Sequence, residues 1–204
     1  MTAAASPASF PVGILMAAGR GRRFDPAGVR NKLLQPLAGA GIHDEPVVAA
    51  SARKLLAALP RVVAVVPPDD GGVAALLAGL GCIVTTCPQA DSGMAASLVH
   101  ALRHALQVLP GAPSWLVALG DMPHVAPATL DALVAALAAG APIAAPVMDG
   151  RRGNPVGFGR VHLDALLALR GDQGARALLR AAAVTEIPVD DAGIFRDVDT
   201  PADL

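Results

Sequence analysis

Five short apolar runs set the pace of this chain: PVGILMAAG (11–19), RVVAVVPPD (61–69), CIVTTCP (82–88), WLVALGDMP (115–123) and APIAAPV (141–147). None alternates polar with apolar residues, which is how strands buried on both faces read. Between them lie segments with apolar residues at helical spacing, over 46–59, 72–79, 93–109 and 127–139. Strand and helix in strict alternation specify an α/β fold, a mainly parallel sheet with helices on both faces. The rhythm changes after Met148, where DGRRGNPVGFGR predicts a small antiparallel excursion near 150–160, added at the sheet edge and shaping a substrate pocket. Helices over 161–169 and 173–182 and a strand over 184–189 complete the expectation. With 204 residues, no repeat of fixed period and no break in composition, residues 11–204 read as a single domain behind a flexible N-terminus, 1–10.

Composition removes several classes of function. The net charge is −1, and only 2% of residues are aromatic with no Tyr, so neither a basic coat nor stacking platforms for nucleic acid are present. No segment runs the roughly 18 apolar residues of a membrane span, and the N-terminus lacks the cationic and apolar regions of a leader, so a cytoplasmic protein is expected. Cys82 and Cys87 flank one predicted strand at odd spacing, which points them to opposite faces and disfavours a disulfide.

In open α/β sheets the ligand lies beyond the carboxyl ends of the strands, at a switch in strand order. The first such end carries LMAAGRGRRFDPAGVRNK (15–32), with Arg20, Arg22, Arg23, Arg30 and Lys32 against the single acid Asp25. This is not a dinucleotide fingerprint, because Phe24 stands where the third glycine of GxGxxG belongs, and the GxxxxGK[ST] of a Walker loop is absent. What remains is a glycine-bordered loop whose N–H groups can approach a di- or triphosphate while Arg20 and Lys32 supply charge. Arg23 and Arg30 can each face solvent.

A triphosphate brings Mg²⁺, held by one or two carboxylates besides phosphate oxygens and water. Asp121 projects from the tip of the fourth apolar run, fixed by the Pro123 that follows. Asp197 and Asp199 share one side of an extended segment near the C-terminus; Asp197 is the preferred ligand, because Asp199 or Thr200 can cap a helix starting at Pro201. Asp91 or Ser92 can cap a helix beginning near Gly93, which places Met94 and Ser97 on one face, for the base and ribose or simply for the core. His100 and His104 read as a helix-surface pair for want of a third ligand. Asn154 and Pro155 form a tight turn, Asp172 reads as a helix N-cap, and Arg176 lies one turn on.

The motifs LMAAGRGRRF with Lys32, DSGMAASL, GDMP, GRRGNPVGF, GDQGAR and DVDTPADL occur in that order over nearly the whole chain. Together they resemble the nucleotidyltransferase superfamily, with its Rossmann-like fold, and within it the molybdenum cofactor cytidylyltransferase group. The resemblance implies Mg²⁺-dependent transfer of a nucleoside monophosphate from an NTP to the terminal phosphate of molybdopterin, with release of pyrophosphate and a molybdoenzyme as recipient of the product. It matches Ala17, Ala18, Gly19, Arg20 and Gly21, with Arg22 beside them, to the nucleotide loop, and Gly93, Met94 and Ser97 to further nucleotide contacts. Lys32 matches the phosphate lysine, Asp121 the metal aspartate, and Asp197 or Asp199 the second carboxylate. Asn154, Pro155, Asp172 and Arg176 would line the acceptor pocket, and MAAG in the first strand leans towards CTP over GTP. The link FDPAGVRN between Arg23 and Lys32 is longer than the family's usual one. A sugar phosphate or other small phosphorylated acceptor, and a non-catalytic nucleotide- or cofactor-binding protein, are the alternatives.

Overall fold

A computed structural model describes residues 10–37, 45–171 and 175–204; the expected flexible N-terminus, as far as residue 9, lies outside them. Among the described residues, ten strands and six α-helices follow in the order β1 (Val12–Met16), β2 (Pro36–Leu37), β3 (Glu45–Pro46), α1 (Val47–Ala58), β4 (Val62–Val66), α2 (Val73–Gly79), β5 (Ile83–Thr86), α3 (Met94–Val108), β6 (Ser114–Leu119), α4 (Pro127–Ala138), β7 (Ile143–Met148), β8 (Arg151–Arg152), β9 (Val156–Gly159), α5 (Leu163–Leu167), α6 (Arg176–Ala181) and β10 (Thr185–Pro188). The five apolar runs are β1, β4, β5, β6 and β7, and the four helical spacings are α1 to α4.

The main sheet has eight strands in the order β10-β7-β9-β6-β1-β4-β5, with β8 paired to β7, and β2 and β3 form a separate antiparallel pair. β1 lies parallel to both β4 and β6, so the chain winds outward in both directions from β1. Successive residues of a strand face opposite sides, and the core divides accordingly. Leu15, Val62, Ala64 and Val66 pack with Leu55 of α1, Leu77 of α2 and Leu133 of α4. Ile14, Val63 and Val65 pack on the other face with Leu98, Ala101 and Leu102 of α3, together with Trp115 and Phe158. Cys82 joins the first cluster and Cys87 the second, both as free thiols, as the odd spacing required.

The antiparallel excursion is present but its place differs from expectation. β9 is not at an edge: it runs between β6 and β7, antiparallel to both, and all four of its residues are buried. Its sequence VGFG permits this, because a Cβ on Gly157 would stand 2.7 Å from Leu137 of α4. A larger residue would lift that helix off the sheet.

Candidate active site

The loop after β1 continues the strand for one step, where the buried Ala17 donates its N–H to Val65 O at 2.9 Å, and then turns. Gly21 has φ +60°, and a Cβ there would meet Lys32 Cγ at 3.3 Å, so the glycine both makes the turn and leaves room for the lysine stem. The long link FDPAGVRN is organised by its one acid: Asp25 accepts from the N–H of Ala27 at 3.1 Å and of Arg30 at 2.7 Å. The Arg30 bond is the main reason its carboxyl sits below the ordinary range. Phe24 plugs into a small core with Leu37, Val47, Ala50 and Val198, which fastens this link to the C-terminal segment. Asn31 then caps the short turn Lys32–Leu34 by accepting from Leu33 N–H at 3.0 Å, and its amide donates to Asp70 O at 2.9 Å.

That scaffold drives Lys32 into the protein, where its side chain is only 8% exposed. Its ammonium donates to Asp121 Oδ2 at 2.5 Å, to Val198 O at 3.0 Å and to Asp199 Oδ1 at 3.5 Å. Val198 N–H bonds Asp121 O at 2.8 Å, so the tip of β6 and the C-terminal segment are joined through main chain as well. Arg23 reaches Asp199 Oδ2 at 2.5 Å from the solvent side. Of the two C-terminal acids, Asp199 faces Asp121, whereas Asp197 is exposed beside it. Lys32 thus pairs with Asp199 and not with Asp197, the acid expected as the metal ligand: Val198 between them is buried, and period-two alternation sets both acids on the side away from it. Burial, then the neighbouring Asp197, pushes the Asp199 carboxyl above its ordinary value, against the pull of Lys32 and Arg23. Thr200 caps the terminal turn Pro201–Asp203 in a capping box.

Asp121 and Asp199 are hard oxygen donors, partly open to solvent at 22% and 19%. Two such carboxylates side by side fit Mg²⁺ or Mn²⁺, which complete their shell with further oxygens such as those of phosphate and water. No ready-made cage of three or more His, Cys, Asp or Glu occurs among the described residues.

Beside this cluster opens a cleft of about 480 Å³, lined by residues of three strand ends: Ala18, Gly19, Arg20, Arg22 and Lys32; Asp91, Gly93, Met94 and Ser97; and Leu119 with Asp121. It lies at the β1/β6 divergence, where open α/β sheets bind ligands. Most of the nucleotide-loop and base-site expectations thus meet in one cavity. Ser97 is buried and Met94 about half exposed on the first turn of α3. The expected side-chain cap is not made: Gly93, at φ 107°, is itself the N-cap residue. Asp91 instead grips Arg20, accepting from Nε and Nη2, and Asp69 in the turn after β4 takes Nη1 at 2.5 Å. These bonds raise the Arg20 pKa further, Asp91 contributing most.

Other expected residues fall elsewhere. Asn154 and Pro155, joined by a cis peptide bond, line a small separate cavity with Ser51 and Lys54. Arg176 begins α6, exposed, and is not among the residues lining that cavity or the cleft; Asp172 lies outside the described residues. His100 bonds Thr85 Oγ1 at 2.9 Å, consistent with a structural histidine. Sequence reasoning passed over Asp91 and Asp69 as partners of Arg20, and Arg23 as partner of Asp199. A balance of charge across strand ends is the signal that pointed to them.

A family model described as MobA-like NTP transferase domain matches residues 13–187. A curated relative, bifunctional protein GlmU of Bradyrhizobium sp. (strain ORS 278), is 32% identical over 182 residues, 82% of this chain but only 36% of its own length. The chain thus spans about a third of the curated relatives it matches. Among solved structures, Rv0371c of Mycobacterium tuberculosis H37Rv is 29% identical with a TM-score of 0.77, covering 95% of both chains, and has also been crystallised as a manganese complex. Molybdopterin-guanine dinucleotide biosynthesis protein A of Archaeoglobus fulgidus shares the fold at 22% identity and a TM-score of 0.66, over 94% of this chain and 94% of its own.

Proposed function

The chain belongs to the MobA-like NTP transferase domain family, and from that premise we propose that it transfers CMP from CTP, in preference to GMP from GTP, to the terminal phosphate of molybdopterin, with Mg²⁺ and with release of pyrophosphate. The observation that carries the reading is the Lys32–Asp121–Asp199 cluster at the mouth of the cleft. The acceptor phosphate rests on the resemblance carried by the ordered motifs, and the choice of CTP on MAAG within it.

The chemistry is in-line displacement. An anionic acceptor oxygen attacks the α-phosphorus, the bond to the α–β bridging oxygen breaks, and pyrophosphate leaves with the electron pair. No protein nucleophile is required; the protein aligns the two phosphates and offsets charge on the leaving group. Gly19, with open space where a Cβ would project, lets the main chain approach the phosphates, and Arg22 supplies charge at the cleft wall. Lys32 holds Asp121 and Asp199 together, and these carboxylates are the residues that would hold Mg²⁺. Bound there, the metal would offset phosphate charge. Met94 and Ser97 form the wall for base and ribose.

The test is pyrophosphate release with CTP, GTP, ATP and UTP, each with and without molybdenum-loaded molybdopterin, and with a sugar phosphate as competing acceptor. CTP with molybdopterin should turn over fastest, and Asp121→Asn should abolish release while leaving the fold intact. Unchanged turnover in that variant sinks the site assignment; turnover only with a sugar phosphate replaces the acceptor.

A further inference from the structure

A second cavity, of about 390 Å³, lies against the segment that carries Asp91. The two cavities share no lining residue yet draw alternately on one stretch of chain: Ala90, Asp91, Gly93, Met94 and Ser97 face the nucleotide cleft, while Gln89, Ser92, Ala96 and His100 face the second cavity. Ala96, His100 and Arg103 recur at i, i+4 and i+7 and so form one stripe of α3. Leu169, Arg170 and Gly171, after α5, close the opposite side.

The lining chemistry points one way. Arg103 and Arg170 both line the cavity; among the described residues no carboxylate lines it and neither arginine makes an ion pair. In the nucleotide cleft, by contrast, Asp91 and Asp121 stand among the cations. Arg170 is held by its Nη1, which donates to Leu169 O at 2.7 Å. That leaves its Nε and Nη2 edge for a second acceptor, and this is the edge that takes a phosphate or carboxylate in a bidentate grip. Ser92 and Gln89 add neutral donors. His100 is kept below its ordinary pKa by burial first and then by His104 and Arg103, with one nitrogen engaged by Thr85, so the positive charge here is that of the arginines.

We propose that this cavity is a second anion site, which binds a phosphoryl group through Arg103 and Arg170. Its size lies within the roughly 300–1,000 Å³ of small-molecule pockets and so exceeds what a bare phosphate ion fills. A phosphomonoester of a small metabolite, with its carbon body against Val99 and Leu169, matches both the charge and the volume. The acceptor phosphate of the transfer reaction is a different ligand, since neither Lys32 nor Asp121 lines this cavity.

The test is titration of the ¹⁵N-labelled full chain with inorganic phosphate in one arm and glycerol 3-phosphate in the other, without nucleotide or metal. The expected result is saturable shifts at the amides of Ser92, Ala96, Val99 and Gly171 in both arms, tighter with the ester. Arg103→Ala/Arg170→Ala should weaken these shifts by about tenfold or more, the loss expected when a charge-assisted grip is removed, while any response at Gly19–Arg22 persists. Both arginines are exposed, so the variant is expected to keep the native amide dispersion, and Arg103→Glu provides an independent reversal of charge. Undiminished shifts in the folded variants, or shifts confined to the Gly19–Arg22 loop, overturn the proposal. Because binding is read without turnover, the result is independent of the fate of the transferase reading.

Discussion

Replacing Lys32 by Met tests whether the buried lysine is an organiser of the site as well as a phosphate ligand. The substitution keeps the stem volume that packs on Gly21 and removes only the charge. At an effective dielectric of about 20, opposite charges about 4 Å apart attract by roughly 4 kcal/mol, and Lys32 serves two carboxylates and a carbonyl at 2.5, 3.5 and 3.0 Å. Stranding a fully buried partner costs about 3–5 kcal/mol. Asp121 and Asp199 keep about a fifth of their surface in water, at 22% and 19%, so the expected loss is smaller, about 2–3 kcal/mol. Urea unfolding followed by circular dichroism measures it. Removing the stranded charge should then repair the damage: Lys32→Met/Asp121→Asn is expected to be more stable than the sum of the single variants by about 1–2 kcal/mol. A single variant within about 0.5 kcal/mol of the parent, or a double variant additive to within about 0.5 kcal/mol, refutes the argument. Pyrophosphate release by Lys32→Met should be lost in either case.

Gly21→Val forces a β-branched residue into φ +60° and a Cβ to 3.3 Å from the Lys32 stem; a loss of about 1–3 kcal/mol on thermal or urea unfolding, with release of Lys32, is expected. Asp91→Asn frees one side of the Arg20 guanidinium, which is exposed, so stability should hardly change while KM for the nucleotide shifts; unchanged KM and kcat would show the Arg20–Asp91 pair to be incidental. Manganese affinity should fall on acidification from neutrality, beginning at higher pH than for ordinary aspartates, because Asp199 binds its proton more tightly than usual. The sign for stability is opposite: a raised carboxyl pKa favours the fold at low pH, and that contribution is lost as pH rises through the raised value. Asp199→Asn should therefore flatten both profiles, measured by calorimetric titration and by urea melts at several pH values.

The alternation of buried runs and amphipathic segments made the order and type of the main elements readable, because a strand covered on both faces cannot afford polar positions. The convergence of Gly19, Lys32, Gly93, Ser97 and Asp121 was readable too, since the switch-point rule turns strand ends into neighbours. The place of β9 was not. An antiparallel strand at an edge and one inserted between β6 and β7 have the same local pattern, and only the small residues Gly157 and Gly159 hint that helix and neighbouring chain come close. That Asp199 and not Asp197 pairs with Lys32 was likewise hidden, because the contact is made across 167 residues of chain.

Those long-range pairings alter the account of the cationic loop. Arg20 is matched by Asp69 and Asp91, and Lys32 with Arg23 by Asp121 and Asp199. Of the five cations in the loop, Arg22 is the one that lines the cleft without an ion pair among the described residues, and Arg30 lies over Phe24, 3.9 Å from Asp25. The charges at and around the cleft thus nearly cancel, although the loop sequence alone reads as strongly positive. On the proposed reading, a triphosphate entering such a site meets one guanidinium without an ion pair among the described residues, and most of its charge is left for the cation that Asp121 and Asp199 are proposed to hold. On that reading the acids around the cleft do more than supply metal ligands. By occupying Arg20 and Lys32 they would couple nucleotide binding to metal binding, since each ligand supplies charge that the other requires.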